Sequence, residues 1–405
     1  MSEQNLVVAK RPTLFVLISI TMVGQMAMNI TLPSLSFIAQ DFGTTEAIAQ
    51  LNLSLYLVGT AIAQLIFGPF SDRYGRRVIV LFGTIVFVIG SIACLLAPSI
   101  ETFIIGRIVQ SVGGCAGIVM GRAMVRDMFS MDKAAAMIAT LTSAVVIVPG
   151  LAPLLGGFFQ DIYGWQLSIV FVMVIGLFVV MIAWSGAHET LPVAARHEAH
   201  FSQLFSAFWV LLKNKLFATY TLQVTANTSA YFAFLGGSGI VFTKIMNWGT
   251  PAELGLWFFA VTVFYIAGNM LTARYAARIG AHRLNLIGTF IALLGTAILI
   301  IVYQTSGITA PVFFGLIFFL AFGNGLCISS GVAIAIGADP KRVGAAAGLS
   351  GSLQLGAGGA LATWVVSILL VDTPMPLIAT IVILCLAGFI ASILGNAHFG
   401  KKKAP

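Results

Sequence analysis

"FGPFSDRYGRR", from Phe67 to Arg77, places Asp72, Arg73, Arg76 and Arg77 directly behind an apolar run. In a chain that is 59 % hydrophobic and only 8 % charged, such a cluster needs a reason. Taken alone, it reads as a basic patch for nucleic acid, a cradle for phosphate, or the polar turn between two membrane helices. Composition separates these. Soluble domains carry about 25 % charged and about 45–50 % apolar residues, and large exposed apolar patches mark interfaces or membranes. A chain this apolar cannot cover a soluble surface, so its solvent is the lipid bilayer.

Apolar runs of about 20 residues, enough to cross about 30 Å of hydrocarbon, extend outward from that stretch on both sides. They fall near 13–34, 47–70, 78–97, 102–123, 134–158 and 166–186, then near 216–240, 253–273, 284–303, 311–336, 344–371 and 376–396. Continuous apolar runs predict helices, because a transmembrane barrel alternates polarity in segments of about 10 residues. The expected fold class is therefore an all-α membrane protein with twelve transmembrane helices.

All but two of the 21 basic residues fall on one side of that topology if the N-terminus is inside. The exceptions are Lys244, outside, and Arg107, within a span. This bias predicts a multi-pass protein of the cell inner membrane with both termini cytoplasmic. The net charge of +8 then reflects topology and contact with the lipid bilayer, with no nucleic-acid partner. Lys10 and Arg11 precede a run with no small-residue cleavage site, so the first span is expected to remain uncleaved. Cys94, Cys115, Cys327 and Cys385 lie in separate spans without disulfide or zinc spacing, and no metal or cofactor is expected.

Residues 187–215 divide the chain into an N-terminal half, 1–186, and a C-terminal half, 216–405. His197 and His200 stand three apart in this linker, but no cysteine or carboxylate joins them, so a solvated segment is expected rather than a metal site. Phe201–Leu212 places Phe205, Phe208, Trp209 and Leu212 on one face, which suits a helix lying on the membrane surface. The halves also repeat. "ARYAARIGAHR" (Ala273–Arg283) occupies in the second half the place of "GPFSDRYGRR" in the first, aligning Asp72 with Ala277, Arg73 with Arg278 and Gly75 with Gly280. Paired halves of this kind build many transporters, with the substrate site between them.

These features together resemble the major facilitator superfamily and, within it, the twelve-span drug:H+ antiporters. "GPFSDRYGRR" is similar to the superfamily's loop between the second and third helices, and "GRIVQSVGG" (Gly106–Gly114) to its fourth-helix motif. "VPGLAPLLGG" (Val148–Gly157) is similar to the antiporter motif on the fifth. "LPSL" (Leu32–Leu35), "LSLYLVG" (Leu53–Gly59), "VRDMF" (Val125–Phe129) and "ETLP" (Glu189–Pro192) resemble the bicyclomycin/chloramphenicol-resistance type. The resemblance implies two six-helix halves around a central cavity and drug or metabolite efflux by H+ antiport. It also implies that Asp72 docks against the N-terminus of the eleventh helix, near Val343 and Gly344.

The residues carry readings of their own. Gly68, Asp72, Arg73, Gly75, Arg76, Arg77 and Asp127 form a candidate gate: the glycines permit a tight turn, Asp72 suits a helix N-terminus, and Arg76 or Arg77 can pair with Asp127. Pro149 and Pro153 share a helix face, and with Gly150, Gly156 and Gly157 mark a close-packed interface. Gly344, Gly348 and Gly351 are expected to pack in the same way on the eleventh span.

Polar residues embedded in hydrocarbon are costly and point to function. Arg107 lies about five residues into its span and shares a face with Gln110, so it is expected to face the central cavity. Gln25, Asn29, Asn52, Tyr56, Asn227 and Tyr231 complete the candidate substrate and coupling set. Asn29 stands where resistance-type relatives carry an aspartate, and no Asp or Glu lies in the middle of any span. Efflux of a small-molecule substrate with protons as coupling ions is the first expectation, from a monomer. A metabolite facilitator or importer without proton antiport is the alternative. The lack of a mid-span acid favours a neutral or anionic amphiphile, and an enzyme or channel is disfavoured by the absence of catalytic pairs or charged pore rings.

Overall fold

A computed structural model describes residues 11–129, 131–192, 196, 201–340, 342–369 and 373–403. His197, His200, Lys10 and Lys341 lie outside the described residues. The regular elements in these residues are all helical: α1 Leu14–Ile30, α2 Leu35–Asp41, α3 Glu46–Tyr74, α4 Arg76–Leu95, α5 Ile100–Met128, α6 Met131–Tyr163, α7 Trp165–Gly186 and α8 Phe201–Lys213. The second half supplies α9 Lys215–Ile240, α10 Pro251–Ile279, α11 Ala281–Ser306, α12 Ala310–Gly337, α13 Val343–Ser352, α14 Leu361–Leu369 and α15 Met375–Lys403. A short 3-10 turn joins α1 to α2, and a wide-wound turn over Leu353–Ala360 joins α13 to α14.

Among the described residues, eleven helices are long and apolar enough to cross a membrane, with α1–α2 and α13–α14 each counting as one. The twelfth expected span is α9. It is long enough, but Gln223, Asn227 and several hydroxyl residues lower its apolar character. The reason is its position: α9 packs among α12, α14 and α15, and its polar groups meet protein rather than lipid. Apolar side chains such as Phe82, Ile89, Phe178, Ile301 and Ile383 point outward from the bundle, as helices solvated by lipid require.

The charged stretch Phe67–Arg77 is not a loop. Helix α3 continues through Asp72 and Arg73 to Tyr74, and Gly75 alone separates it from α4. Gly75 has φ +99°, and Gly280, the single residue between α10 and α11, has φ +92°. The repeated glycines thus make the same helix reversal twice, in a left-handed conformation that residues with a Cβ rarely adopt. Gly75 carries no side chain to cap α4. Glu189 of the "ETLP" segment does so instead, accepting from the Arg76 N–H at 3.0 Å and the Arg77 N–H at 3.3 Å.

Small residues let the backbones meet where hydrophobic force is absent. A Cβ on Gly24 of α1 would lie 2.8 Å from the Gly114 carbonyl oxygen of α5. The two halves meet along α6–α10 and along α3 against α13–α14. Within the motif on α6, Gly150 faces Thr262 and Gly157 faces Pro251, both on α10, whereas Gly156 faces Ile30 of α1. In turn, Gly255 of α10 abuts Pro153 and Leu154. Pro149 and Pro153 lie inside an uninterrupted α6.

Helix α8 forms as expected, but its apolar residues divide into two stripes. Phe208 and Leu211 turn into the protein beside Phe217, Tyr220, Ala346 and Leu349, while Phe205, Trp209 and Leu212 face outward. One stripe serves the bundle and the other is left for lipid.

Candidate functional site

The gate residues sit at the end of the bundle that carries Arg73, Arg76 and Arg77, called here the basic end. Arg76 is its hub. Its Nε donates to Asp127 Oδ2 at 3.0 Å, its Nη1 donates to Asp72 Oδ1 at 2.6 Å, and the same nitrogen contacts Ser71 Oγ. Thr190 Oγ1 donates to Asp127 Oδ2 at 3.0 Å. Of the two arginines offered by the sequence as partners of Asp127, Arg76 takes the role. Arg77 turns away and donates to the Trp184 carbonyl at 3.1 Å, while the Arg73 guanidinium lies 5.3 Å from the Tyr74 ring centroid. The one-residue turn at Gly75 dictates this, because Asp72 and Arg76 come onto one side, four positions apart, and Arg77 is rotated off it.

Asp72 does not dock on the eleventh span. Its side chain is half exposed and pairs with Arg76, while Gly344 and Gly348 have open space where a Cβ would stand, as does Gly68. The close packing expected at Gly344 and Gly348 is therefore absent; of that glycine set Gly351 alone touches the first half, against Gln64. Between α3, α5, α8 and α13 lies a cavity of about 340 Å³, with Asp72, Arg76, Arg122 and Arg126 among its walls. A cavity here separates Asp72 from the helix end it was expected to meet.

The opposite end is closed across the halves. Ser54 and Thr363 share a hydrogen bond of 2.7 Å there, while nearer the middle of the spans Ser352 Oγ donates to the Ala61 carbonyl at 3.0 Å. Lys244 Nζ donates to Glu46 Oε2 at 2.8 Å, and Asp161 accepts from the Ala252 N–H at 3.2 Å, at the start of α10. A surface recess of about 790 Å³ lies over this seam, lined by Phe37, Gln40, Glu46 and Lys244.

Arg107, Gln110, Asn52 and Tyr56 come together inside the first half. Arg107 is 1 % exposed. Its Nε donates to Asn52 Oδ1 at 2.5 Å, its Nη1 to the Ala27 carbonyl at 2.9 Å and to Gln110 Oε1, and its guanidinium lies 4.6 Å from the Tyr56 ring centroid. Gln110 passes the chain on to Ser91 Oγ at 2.8 Å, and the Tyr56 hydroxyl donates to the Gly24 carbonyl at 2.8 Å. The expectation that Arg107 faces the central cavity is corrected by this geometry. The side chain is enclosed by α1, α3, α4 and α5, because polar acceptors on α1, on α3 and on its own helix satisfy it better than an apolar cavity would. Nη2 of Arg107 and Oδ1 of the fully buried Asn29 have no hydrogen-bond partner. The Asn29 amide donates to the carbonyl of the half-buried Gln25 at 2.8 Å.

Asn227 does not join this cluster. It belongs to an amide network buried in the second half: Gln223 donates to Asn227, which donates to Asn324 at 3.1 Å. Asn285 donates to Gln223 at 2.8 Å and accepts from Ser392 at 2.6 Å. Tyr231 stands apart from it, partly exposed, with its ring 6.0 Å from that of Tyr265. Among the described residues no buried side chain is an Asp or Glu, and no group of three metal-ligating side chains occurs. Arg122 and Arg126 carry only a topological signal in the sequence, and Ser91, Asn285 and the Glu46–Lys244 pair emerge with the structure. The last had a signal: Lys244 was the sole basic residue on its side.

Comparison with known proteins agrees with this architecture. The family model described as Major Facilitator Superfamily matches residues 17–363. A protein named bicyclomycin resistance protein homolog from Haemophilus influenzae is 27 % identical over 89 % of this chain and 90 % of its own length. A chloramphenicol resistance protein from Pseudomonas aeruginosa is 31 % identical over 66 % of this chain and 62 % of its own. Among solved structures, a bacterial homologue of the human lysosomal transporter Spinster superposes with a TM-score of 0.73 at 15 % identity, covering 95 % of this chain and 97 % of that one, which shows a shared fold. With the family model running through both halves of the helical bundle, this chain belongs to the Major Facilitator Superfamily.

Proposed function

We propose that this protein is a secondary transporter that exports small amphiphilic molecules from the cell by alternating access between the halves 1–186 and 216–405. One observation carries the reading: polar contacts tie the halves together at the end away from the basic residues, whereas at the basic end a cavity of about 340 Å³ lies between α3, α5, α8 and α13. The relatives named for bicyclomycin and chloramphenicol resistance support small-molecule efflux. The clustering of basic residues supports placing the open end, and both termini, in the cytoplasm of an inner-membrane protein. The Arg76–Asp72–Asp127 group acts as the cytoplasmic gate. When the halves close there, Asp72 moves to the N-terminus of α13, where the helix dipole favours an anion by about 0.3–1 kcal/mol.

Proton antiport is the first mechanism, with protons exchanged at a peripheral carboxylate such as Asp127 or Asp161. The second reading, facilitated transport without protons, is favoured by the lack of a buried carboxylate among the described residues. Uptake of a chloramphenicol-like probe into inverted vesicles under an imposed pH gradient decides between them. Antiport requires that a protonophore abolish accumulation, and accumulation that survives the protonophore refutes it. If no probe enters under either condition, the efflux reading itself fails.

A further inference from the structure

We propose that the cavity at the basic end is a binding site for amphiphilic anions, in which Arg122 and Arg126 receive the acidic head and the apolar wall takes the tail. The lining carries three arginines, Arg76, Arg122 and Arg126, against a single aspartate, Asp72. Arg76 is already neutralised by Asp72 and by Asp127 behind it. Arg122 and Arg126 make no ion pair or hydrogen bond among the described residues, although they stand one helical turn apart on α5. Like charges four positions apart on a helix repel, and a cavity between protein walls screens them less than open water does. The feature that would relieve both is an anion between them.

Two further walls suit such a ligand. The opposite side is the start of α13, whose cap residue Arg342 makes no side-chain cap and whose first intrahelical bond comes from the Ala346 N–H. The N–H groups of Gly344 and Ala345, both at the cavity, therefore add positive potential to that of the arginines. Leu65, Ile118, Val119 and Phe208 supply apolar surface, with Phe208 contributed by α8. The linker helix thus forms part of a binding wall. A volume of about 340 Å³ holds a head group and a short tail. An occupant also stands in the path by which Asp72 would reach α13, so a bound anion holds the basic end open until it moves on.

The site needs the transporter reading only for its use in the cell, since binding is measurable without transport. The test uses the full chain in phosphatidylcholine nanodiscs, titrated calorimetrically with decanoate, decanol and decyltrimethylammonium. Decanoate is expected to bind at least about tenfold more tightly than decanol, as one charge-assisted contact allows, and decyltrimethylammonium not to bind. Arg122→Gln should weaken decanoate about tenfold, while Arg122→Lys, which keeps the charge and controls for folding, should retain most of the affinity. Discs containing phosphatidylglycerol identify the source. If the natural occupant is a lipid head group, decanoate is displaced there, and native mass spectrometry finds phosphatidylglycerol retained by the parent and lost from Arg122→Gln. If it is a free acid, decanoate binds equally in both discs. Equal affinity for decanoate and decanol, or unchanged decanoate binding in both Arg122→Gln and Arg126→Gln, overturns the proposal. Anion binding without vesicle transport would instead refute the efflux reading and leave this site standing.

Discussion

Replacing Gly157 by alanine asks whether the α6–α10 seam opens during function. A Cβ at this position would overlap the Pro251 carbonyl oxygen and lie 2.7 Å from the Pro251 carbonyl carbon and 3.0 Å from Ala252 Cα. All three atoms are backbone of the other half, so no side-chain rotation relieves the contact. Overpacking of this kind costs about 1–3 kcal/mol. If the halves separate at this end in part of the cycle, the cost falls on the closed state alone. At about 1.4 kcal/mol per tenfold, the open population then rises by roughly 5- to 150-fold. Gly156→Ala is the matched control. Its Cβ would overlap the Ile30 carbonyl oxygen of α1, in the same half, so both states are raised alike and their ratio is kept. The assay replaces the four cysteines, introduces Ser54→Cys, and follows labelling by an impermeant maleimide at the end opposite the basic residues. Ser54 is buried on the closed seam beside Thr363. Labelling should accelerate about fivefold or more in Gly157→Ala and not in Gly156→Ala. Equal acceleration in the two, or none in Gly157→Ala, refutes a seam that opens there.

Glu46→Gln removes the ion pair over the same seam, but a partly exposed pair contributes only about 0–1 kcal/mol. Labelling of Ser54→Cys should therefore change less than about fivefold, and a larger change would make this pair, not the glycine packing, the main closure. Arg107→Ala strips donors from Asn52, Gln110 and the Ala27 carbonyl, where contacts to a charged group contribute about 1.5–3 kcal/mol each and do not simply add. Its melting temperature in detergent should fall by several degrees; a fall under about 2 °C would remove Arg107 from the structural core. Asn29→Asp introduces a titratable group at a fully buried position and should make transport depend on pH, and an unchanged pH profile would exclude this position as a coupling site. Asp72→Asn should reduce vesicle uptake more than Arg278→Ala, because Asp72 pairs with Arg76 whereas Arg278 has no ion pair among the described residues. Equal losses would refute a gate concentrated in the first half.

Residues that act through local spacing were legible before the structure. The paired turns at Gly75 and Gly280 follow from a duplicated local pattern, and the pairing of Arg76 or Arg77 with Asp127 from opposite charges placed at the same end of the bundle on two consecutive helices. Arg107 shows where this stops. Its depth in the membrane was readable, but whether it met a cavity or a shell of carbonyls depended on α1, α3 and α4 closing around it. Asn227 shows the same limit, since an amide facing two other amides, Gln223 and Asn324, and one facing a substrate look alike in sequence. Helix α9 forms where a span was expected, at Lys215–Ile240, although it is not among the eleven most apolar helices and its polar face is explained only by the helices that cover it.

The sequence by itself determined the solvent, the helices, the duplicated halves and the side on which positive charge collects. Each of these follows from composition or from short-range periodicity, which the chain carries along its length. Only the tertiary structure decided which end of the seam is open, which glycines face the other half, and which arginines have partners. Those outcomes depend on distances between residues far apart in the chain: Gly156 and Gly157 are neighbours in sequence but touch different halves. Arg76 and Arg122 look alike as basic residues near one membrane face, yet two carboxylates neutralise the first while the second lines a cavity with no ion pair among the described residues.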